Sequence, residues 1–340
     1  MIKTRRIWLV AALAALIATF TVAAAWSAGT AGVRSGKLVY SGVDPSDGLS
    51  DIYVMNADGS AQVNITHDEL VRKDLSPSWS ADGTKIVFER VSGSGGSSIL
   101  VANPDGSGLT TLVSSQPIGT SNSHNVDPSF SPDGSQVVFA SNVDGNYDLY
   151  AVVVDLYGAR PGIPTLIRLT KTEAPVRNFD PSWSPDGKTI VFSRSGAIEK
   201  SSRSAADLYL VKPETREVAR LTATSRGLGD RGAVFSPDGT RVAFFSDRAG
   251  NNDIYVRNLS ARYVAQITTS PYSDTDPTWG PDSQALTFVS TRSGATEFWT
   301  LNLIGMTPGP TRPVQITFDR QQKSHPSWAP LGISPVAATT

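Results

Sequence analysis

The sequence contains no cysteine among its 340 residues. This absence excludes disulfide bonds, thiolate metal ligands, cysteine nucleophiles and lipid attachment through a thiol. Histidine is scarce, with three residues, and the formal net charge at pH 7 is −1, so neither sign of charge dominates. Binding of nucleic acid is therefore not supported, because it needs an excess of basic residues on one surface. Glycine and proline are plentiful, at 29 and 22 residues, which predicts a chain rich in turns.

An uncharged, mostly apolar run lies near the N-terminus, from Ile7 to Trp26, and basic residues within positions 3–6 precede it. A basic start, an apolar run and small residues at 23–27 are typical of an export signal. With about 20 residues the run is also long enough to span a bilayer if it is not cleaved. We therefore predict that residues 1–28 are an export signal or a membrane anchor. The rest of the chain is then extracytoplasmic, either periplasmic or secreted.

A segment of the form PSWSPDG, followed by an apolar strand, recurs along the chain. The clearest copy is DPSWSPDGKTIVFSR, from Asp180 to Arg194. Each copy has one anchor aromatic, 44 to 53 residues from the next: Trp79, Phe130, Trp183, Phe235, Trp279 and Trp328. A period of about 50 residues is typical of one four-stranded propeller blade. The anchor aromatics are predicted to lie in the core between blades.

Each repeat carries four strand patterns, which we label A to D. Strand A contains the anchor aromatic and ends at the SPDG turn, where Pro presets φ, Asp bonds the local backbone and Gly takes the left-handed position. Strand B alternates, as in KTIVF from Lys188. Strand C often opens with an acid, as in DIYVMN from Asp51, and strand D ends in motifs such as QVNIT. Alternating β-branched and aromatic residues between turn residues predict strands.

The first and last strand patterns complement each other. The chain opens on a B strand, KLVYSG from Lys37, and closes on an A strand, HPSWAP from His325. Pairing the two closes a ring and removes the exposed edges of an open sheet. We predict an all-β protein with a six-bladed β-propeller at 37–330, a linker at 29–36 and a flexible tail at 331–340. The C-terminal strand completes the first blade.

These motifs resemble the TolB-type, WD-like propeller repeat: PSWSPDG, a B strand ending FxS, a C strand opening DIY and a D strand ending LT. The resemblance covers six copies and implies an exported binding scaffold. TolB has a separate N-terminal α/β domain, for which residues 29–36 leave no room, so the resemblance predicts a stand-alone propeller. Similar repeats form the propellers of prolyl-oligopeptidase-like proteases, but the G-x-S-x-G motif of their hydrolase domain is absent here.

The B–C and D–A connections of such a blade share one face of the disc. Here they are longer and more varied than the A–B turns, as in HDELVRKDL from His67. Variable loops on a rigid scaffold often carry function. We therefore predict that a partner binds this face and the mouth of the central channel. The candidate contact residues lie in D–A connections or early in strand A: His67, Arg72, Lys73, His124, Asp127, Arg177, Asp180, Arg231, Asp276, Lys323 and His325.

Histidines among these residues, and acidic loops elsewhere in the chain, are also candidate ligands for a metal ion. Three imidazoles, of His67, His124 and His325, can bind a divalent metal if they meet, although no HxH or HExxH spacing supports this. Asx-rich B–C loops, such as DPSDGLSD from Asp44, can supply oxygens to Ca²⁺, although none has the EF-hand pattern. We predict no cofactor and keep calcium or a histidine-bound divalent metal as alternatives.

The predicted function is that of a monomeric, non-catalytic module that binds an envelope or extracellular protein, peptide or polysaccharide and no nucleic acid. One alternative is an enzyme that processes glycans or peptides with channel carboxylates or a histidine-bound metal, since two carboxyl groups suffice for glycoside hydrolysis. No catalytic pair can be assigned, because an Asp before Pro is also a common turn residue. A third alternative is a structural subunit docked into a membrane complex.

Overall fold

A computed structural model of the chain describes residues 36–67, 72–93, 95–115, 122–154, 165–196, 205–224, 228–303 and 312–331. In these ranges the chain forms β-strands and turns, with no helix, and so with no helix that is able to cross a membrane. The predicted signal or anchor, most of the predicted linker and residues 332–340 of the predicted tail lie outside the described residues.

Six four-stranded antiparallel sheets form six blades. Blade 1 contains β1 (Lys37–Val43), β2 (Ser50–Asn56), β3 (Val63–Asn64) and β24 (Lys323–Trp328). Blade 2 contains β4 (Lys73–Trp79), β5 (Ile86–Val91), β6 (Ser97–Ala102) and β7 (Thr110–Val113). Blade 3 contains β8 (Asn125–Phe130), β9 (Gln136–Ser141), β10 (Asp148–Val153) and β11 (Leu166–Arg168).

The second half of the chain repeats this order. Blade 4 contains β12 (Arg177–Trp183), β13 (Ile190–Ser195), β14 (Ala206–Val211) and β15 (Val218–Arg220). Blade 5 contains β16 (Asp230–Phe235), β17 (Arg241–Ser246), β18 (Asp253–Asn258) and β19 (Val264–Gln266). Blade 6 contains β20 (Asp274–Trp279), β21 (Ala285–Ser290), β22 (Glu297–Asn302) and β23 (Val314–Gln315).

The ring closes in blade 1, where the C-terminal strand β24 pairs antiparallel with β1. Leu38 lies opposite Trp328, and Gly42 lies opposite Lys323. This blade therefore combines strands from the two ends of the described chain, whereas the other five each use four consecutive strands. The prediction of an all-β, six-bladed propeller closed by its last strand is confirmed.

The hydrophobic core lies between neighbouring blades. The aromatic residue in the middle of each B strand is fully buried: Tyr40, Phe88, Phe139, Phe192, Phe244 and Phe288. Burying one such side chain stabilises the fold by about 1.5–3 kcal/mol. The anchor aromatics join the same layers, since Trp79 packs with Ile52 of the preceding blade and Trp279 packs with Ile254. Their predicted place between blades is confirmed.

The acid that opens strand C and the threonine that ends strand D form a repeated latch. In blade 3 the Thr170 hydroxyl donates to Asp148, at 2.9 Å, and accepts the backbone N–H of Leu149, also at 2.9 Å. The equivalent threonines accept the same backbone bond in four other blades: Thr66, Thr222, Thr268 and Thr317. The recurring motifs DIY and LT are therefore explained by strand pairing within each blade.

Candidate functional site: the central channel

Each A strand has a β-bulge at the same place, the residue before proline or its equivalent. The register with strand B shifts there in every blade, as it does between Phe179 and Ser182. The backbone φ of this residue is positive in all six blades, from 50° to 59°: Ser76, Asp127, Asp180, Gly232, Asp276 and His325. This region is sparsely populated for residues other than Gly, although Asp enters it more readily than most. We call these six residues the channel ring.

The channel ring lines a central cavity of about 340 Å³, together with the two residues that follow each ring member. Asp127, Asp180, Asp276 and His325 were predicted as candidate residues, and the structure brings these four together here. Ser76 and Gly232 complete the ring at the positions where the repeat carries neither an acid nor a histidine.

The acids of the channel ring connect successive blades by hydrogen bonds. The Oδ2 atom of Asp127 accepts the backbone N–H of Asp180 at 3.4 Å, and Oδ2 of Asp180 accepts that of Gly232 at 3.3 Å. In the same way, Oδ2 of Asp276 accepts the backbone N–H of His325 at 3.2 Å. Each acid thus accepts a hydrogen bond from the ring residue of the following blade. This bond holds one oxygen of the acid's carboxylate against the channel wall.

A second layer comes from strand B, at the residue that follows the buried aromatic. In blade 4 this residue is Ser193, whose hydroxyl donates to Oδ2 of Asp180 at 3.0 Å. In blade 1 it is Ser41, whose hydroxyl accepts the backbone N–H of Ser76 at 3.0 Å. The side chain at this position therefore determines what surrounds the neighbouring ring residue.

In blade 2 this second-layer position is occupied by Glu89, which was not predicted as a site residue. Its side chain is buried, and burial, followed by the negative charge of Asp127, raises the pKa of Glu89 to about 8. The signal in the sequence was a carboxylate inside the apolar strand IVFERV. The other blades have an uncharged residue at this position: Ser41, Ala140, Ser193, Phe245 and Val289.

Burial and the neighbouring Asp127 also raise the pKa of Asp180 well above its usual range, and hydrogen bonds from Ser193 and Gly232 oppose this change. Burial lowers the pKa of His325, but the surrounding acids, led by Asp276, outweigh it and leave the pKa raised. The channel therefore contains two carboxyl groups, of Glu89 and Asp180, and one imidazole, of His325, whose pKa values are raised.

The other predicted residues lie elsewhere. The Lys323 side chain is fully buried, its ammonium contacts Asp319, and it lies 3.4 Å from a carboxylate oxygen of Glu297. This lysine therefore stabilises the closing strand and is not accessible to a partner. The backbone N–H of His124 donates to Asn142 at 2.7 Å, and the His124 side chain does not line the channel.

His67 lies beside Asp44 and Asp51 in blade 1, and its Nδ1 atom is 3.7 Å from an oxygen of each. Since only His325 of the three histidines lines the channel, the structure does not bring the three imidazoles together there. The remaining cationic residues stand one to four positions before the ring residue of their own strand: Arg72, Lys73, Arg177 and Arg231. Of these, the Arg177 guanidinium lies 5.9 Å from the ring centre of Tyr147.

The chain is similar in sequence to proteins with TolB-type propellers. Residues 202–338 match the TolB beta propeller domain. A protein TolB homolog of Chlorobium luteolum is 28% identical over 207 residues, which cover 56% of this chain and 40% of that protein. Dipeptidyl-peptidase 5 of Porphyromonas gingivalis is 25% identical over 300 residues, 74% of this chain and 42% of that protein. The chain thus spans about two fifths of these curated relatives.

Solved structures share the fold at lower identity. TolB from Acinetobacter baumannii superposes with a TM-score of 0.68 and 19% identity, over 90% of this chain and 70% of that one. A puromycin hydrolase S511A mutant complexed with PGG superposes with a TM-score of 0.56 and 15% identity, over 83% of this chain and 45% of that one. From its repeats and six blades the chain has a TolB-type β-propeller fold, and its sequence is similar to proteins of that family.

Proposed function

We propose that the chain is an extracytoplasmic binding module that captures a positively charged segment of a protein partner in its central channel. The observation that supports this proposal is the charge of the channel. Asp127, Asp180, Asp276 and His325 line the cavity, and no Lys or Arg belongs to its described lining. The buried carboxyl group of Glu89 interacts with Asp127 from behind this lining.

A cationic ligand would relieve the mutual repulsion of these acids. Burial in the channel wall, followed by the negative charge of Asp127, raises the pKa of Glu89 and of Asp180, so both hold protons well above their usual pH range. An ammonium or guanidinium group that enters the channel would replace those protons and gain the full attraction. Such a channel also concentrates cations at its entrance.

The size of the cavity limits the ligand. A volume of about 340 Å³ accommodates a few side chains or an extended chain end, not a folded domain. The partner would therefore insert a loop or terminus that carries Lys, Arg or an α-amino group. Arg72, Lys73, Arg177 and Arg231 stand close to the ring in sequence and would pair with acidic groups beside that segment.

Two observations support an extracytoplasmic place for this activity. The N-terminal segment has the pattern of an export signal or anchor. In addition, a Tol-Pal system protein TolB of Francisella tularensis is 25% identical over 181 residues. We propose that the partner is an envelope or extracellular protein, and that an uncleaved N-terminal segment would tether the propeller to the membrane.

Capture from an envelope extract tests the proposal. The purified chain is compared with a channel variant that combines Glu89→Gln, Asp127→Asn and Asp180→Asn. A control variant neutralises three exposed carboxylates outside the channel: Glu173→Gln, Glu214→Gln and Glu217→Gln. The wild type and the control should capture the same protein, and the channel variant should capture at least about tenfold less. Equal capture by all three would exclude the channel as the binding site.

An enzyme is the second candidate, because strongly shifted pKa values cluster at catalytic sites. Glu89, with a pKa of about 8, would act as the acid, and the similarity to a dipeptidyl-peptidase points to peptides as first substrates. A panel of peptides and glycans is assayed with the wild type and with Glu89→Gln. Turnover that the substitution abolishes would favour this candidate.

A further inference from the structure

A second group of ionisable side chains lies in blade 1, outside the channel lining. It contains Asp44 from the β1–β2 connection, Asp51 from β2 and His67, which follows β3. The Nδ1 atom of His67 is 3.7 Å from Oδ2 of each aspartate, and one ligand atom from each residue lies within 4.8 Å of the others. Tetrahedral ligands at about 2.0–2.2 Å from an ion are roughly 3.3–3.6 Å apart, so this set needs only small shifts to surround one.

Blade 3 contains the same arrangement with a cation of its own. There Asp148 opens strand C, as Asp51 does, and Asp144 lies in the preceding connection. The Arg168 guanidinium donates to Asp144 at 3.0 Å and to Asp148 at 2.7 Å. The two acids are therefore neutralised by an internal ion pair.

The tyrosine of strand C confirms that the two blades correspond. The hydroxyl of Tyr53 donates to Asp44 at 3.2 Å, and the hydroxyl of Tyr150 donates to Asp144 at 2.7 Å. Both tyrosines stand two residues after the strand C acid. Asp44 and Asp51 of blade 1 are therefore equivalent to Asp144 and Asp148 of blade 3.

Blade 1 lacks the arginine. The position of Arg168, two residues before the strand D threonine, is occupied by Asn64. Its amide nitrogen donates to Asp44 at 3.1 Å and to Asp51 at 2.7 Å, while its oxygen accepts the backbone N–H of His67 at 2.9 Å. A neutral amide thus bridges two acids, and among the described residues no Lys or Arg forms an ion pair with either.

We propose that Asp44, Asp51 and His67 bind a divalent transition-metal ion, best matched by Zn²⁺, at the place that the Arg168 guanidinium occupies in blade 3. One imidazole and two carboxylates, with water as the fourth ligand, are a usual donor set for zinc, whereas calcium and magnesium prefer oxygen alone. Asn64 and Tyr53 orient the carboxylates, as outer partners of metal ligands commonly do.

The exposure of the ligands suits an ion that enters from solvent. The His67 side chain is 54% exposed, whereas those of Asp44 and Asp51 are 15% and 10% exposed. A bound ion would connect the β1–β2 connection to the end of β3, a strand of two residues. It would therefore stabilise the blade in which the ring closes, since a ligand that binds only the folded state raises its stability.

The first test titrates ZnCl₂ alone into the purified full-length chain after treatment with EDTA. We expect one bound equivalent in the wild type. His67→Gln should weaken binding at least about tenfold, because a ligand is lost. His124→Gln is the matched control, since this histidine lies outside the group, and it should leave affinity unchanged. The melting temperature of each variant shows whether it is folded, and zinc should raise it in the wild type and in His124→Gln only.

The second test uses the repeat itself. Asn64→Arg copies blade 3 into blade 1 and should abolish zinc binding while the chain stays folded, because the guanidinium replaces the ion. The reverse graft, Arg168→Asn with Lys171→His, should create a second site and raise the stoichiometry to two. The proposal is overturned if the wild type binds no zinc, or if His67→Gln and Asn64→Arg bind it as the wild type does.

Discussion

The carboxylate of Asp180 accepts the backbone N–H of Gly232, 3.3 Å away in the next blade, and so connects two blades in the channel wall. Position 232 has no room for a side chain, because the ring of Phe245, from strand B of the same blade, occupies that space. A Cβ atom on Gly232 would lie 2.7 Å from a ring carbon of Phe245, and its φ is +59°. Blade 4 thus has Asp180 at the ring position and Ser193 at the strand B position behind it. Blade 5 has Gly232 and Phe245 at the same two positions.

We predict that these two residues are energetically coupled. Gly232→Asp should destabilise the chain by about 3 kcal/mol, because the new side chain meets the Phe245 ring. Gly232→Asp combined with Phe245→Ser should cost about 1–3 kcal/mol less than the sum of the single changes. Urea unfolding measures all three. Gly294→Asp is the control, since its φ is also positive but nothing lies within 4 Å of its Cβ.

Stability should fall as the pH rises through neutrality. The pKa of Glu89 is raised from 4.5 to about 8 in the folded chain, so the folded state holds this proton more tightly than the unfolded state. The resulting stabilisation is complete below about pH 4.5 and is lost as the pH approaches 8. The raised pKa values of Asp180 and His325 act in the same direction.

Glu89→Gln isolates the part of this dependence that Glu89 causes. Between pH 5 and pH 8.5, the loss of unfolding free energy should be smaller than in the wild type by on the order of 2 kcal/mol. Urea unfolding at both pH values provides the comparison, with exposed Glu214→Gln as the control. A wild-type profile that the substitution leaves unchanged would show that Glu89 is not protonated at neutral pH.

The latch of blade 3 should be stabilising. Thr170→Val removes the donor to Asp148, a fully buried acid, and the acceptor for the backbone N–H of Leu149. We expect a loss of about 1–3 kcal/mol, because buried polar groups are left unpaired. Exposed Thr215→Val should change the unfolding free energy by less than about 0.5 kcal/mol. Equal effects at the two positions would contradict a stabilising latch.

Two ion pairs should differ in importance. The Arg90 guanidinium donates to both oxygens of Asp74, at 2.7 and 2.5 Å, and both side chains are buried. Arg90→Met should cost about 3–5 kcal/mol, because it leaves a buried carboxylate without its partner. Lys212→Met breaks an exposed pair with Glu217 and should leave the melting temperature unchanged at high salt. Calorimetry of both variants tests this difference.

The fold could be predicted because each blade repeats the same local signals. The SPDG turns, the alternating B strands and the spacing of the anchor aromatics all recur. The B strand at Lys37 has no A strand before it and the A strand at His325 has no B strand after it, so pairing the two strands predicted a closed ring. The grouping of Asp127, Asp180 and Asp276 with His325 followed for the same reason, since equivalent positions of a closed ring must meet at its centre.

Residues whose partners lie in other strands could not be placed in this way. Glu89 occupies a strand B position that appears apolar until the channel beside it is known. Lys323 was grouped with the channel because it precedes His325, but its ammonium pairs with Glu297 of another blade. His67 follows strand D, the last strand of its sheet and the farthest from the channel strand, so it meets Asp51 rather than the channel.

Site-specific crosslinking from the channel shows directly whether a partner binds there. Because the chain has no cysteine, Ser76→Cys carries a photoactivatable probe at one position of the channel ring only. Ser107→Cys, in the C–D turn of the same blade, places the probe on the opposite face. After irradiation in envelope extract, we predict that the channel probe crosslinks a protein through a segment containing Lys, Arg or an N-terminus, and that the Ser107 probe does not. A partner crosslinked from Ser107 and never from Ser76 would contradict binding in the channel.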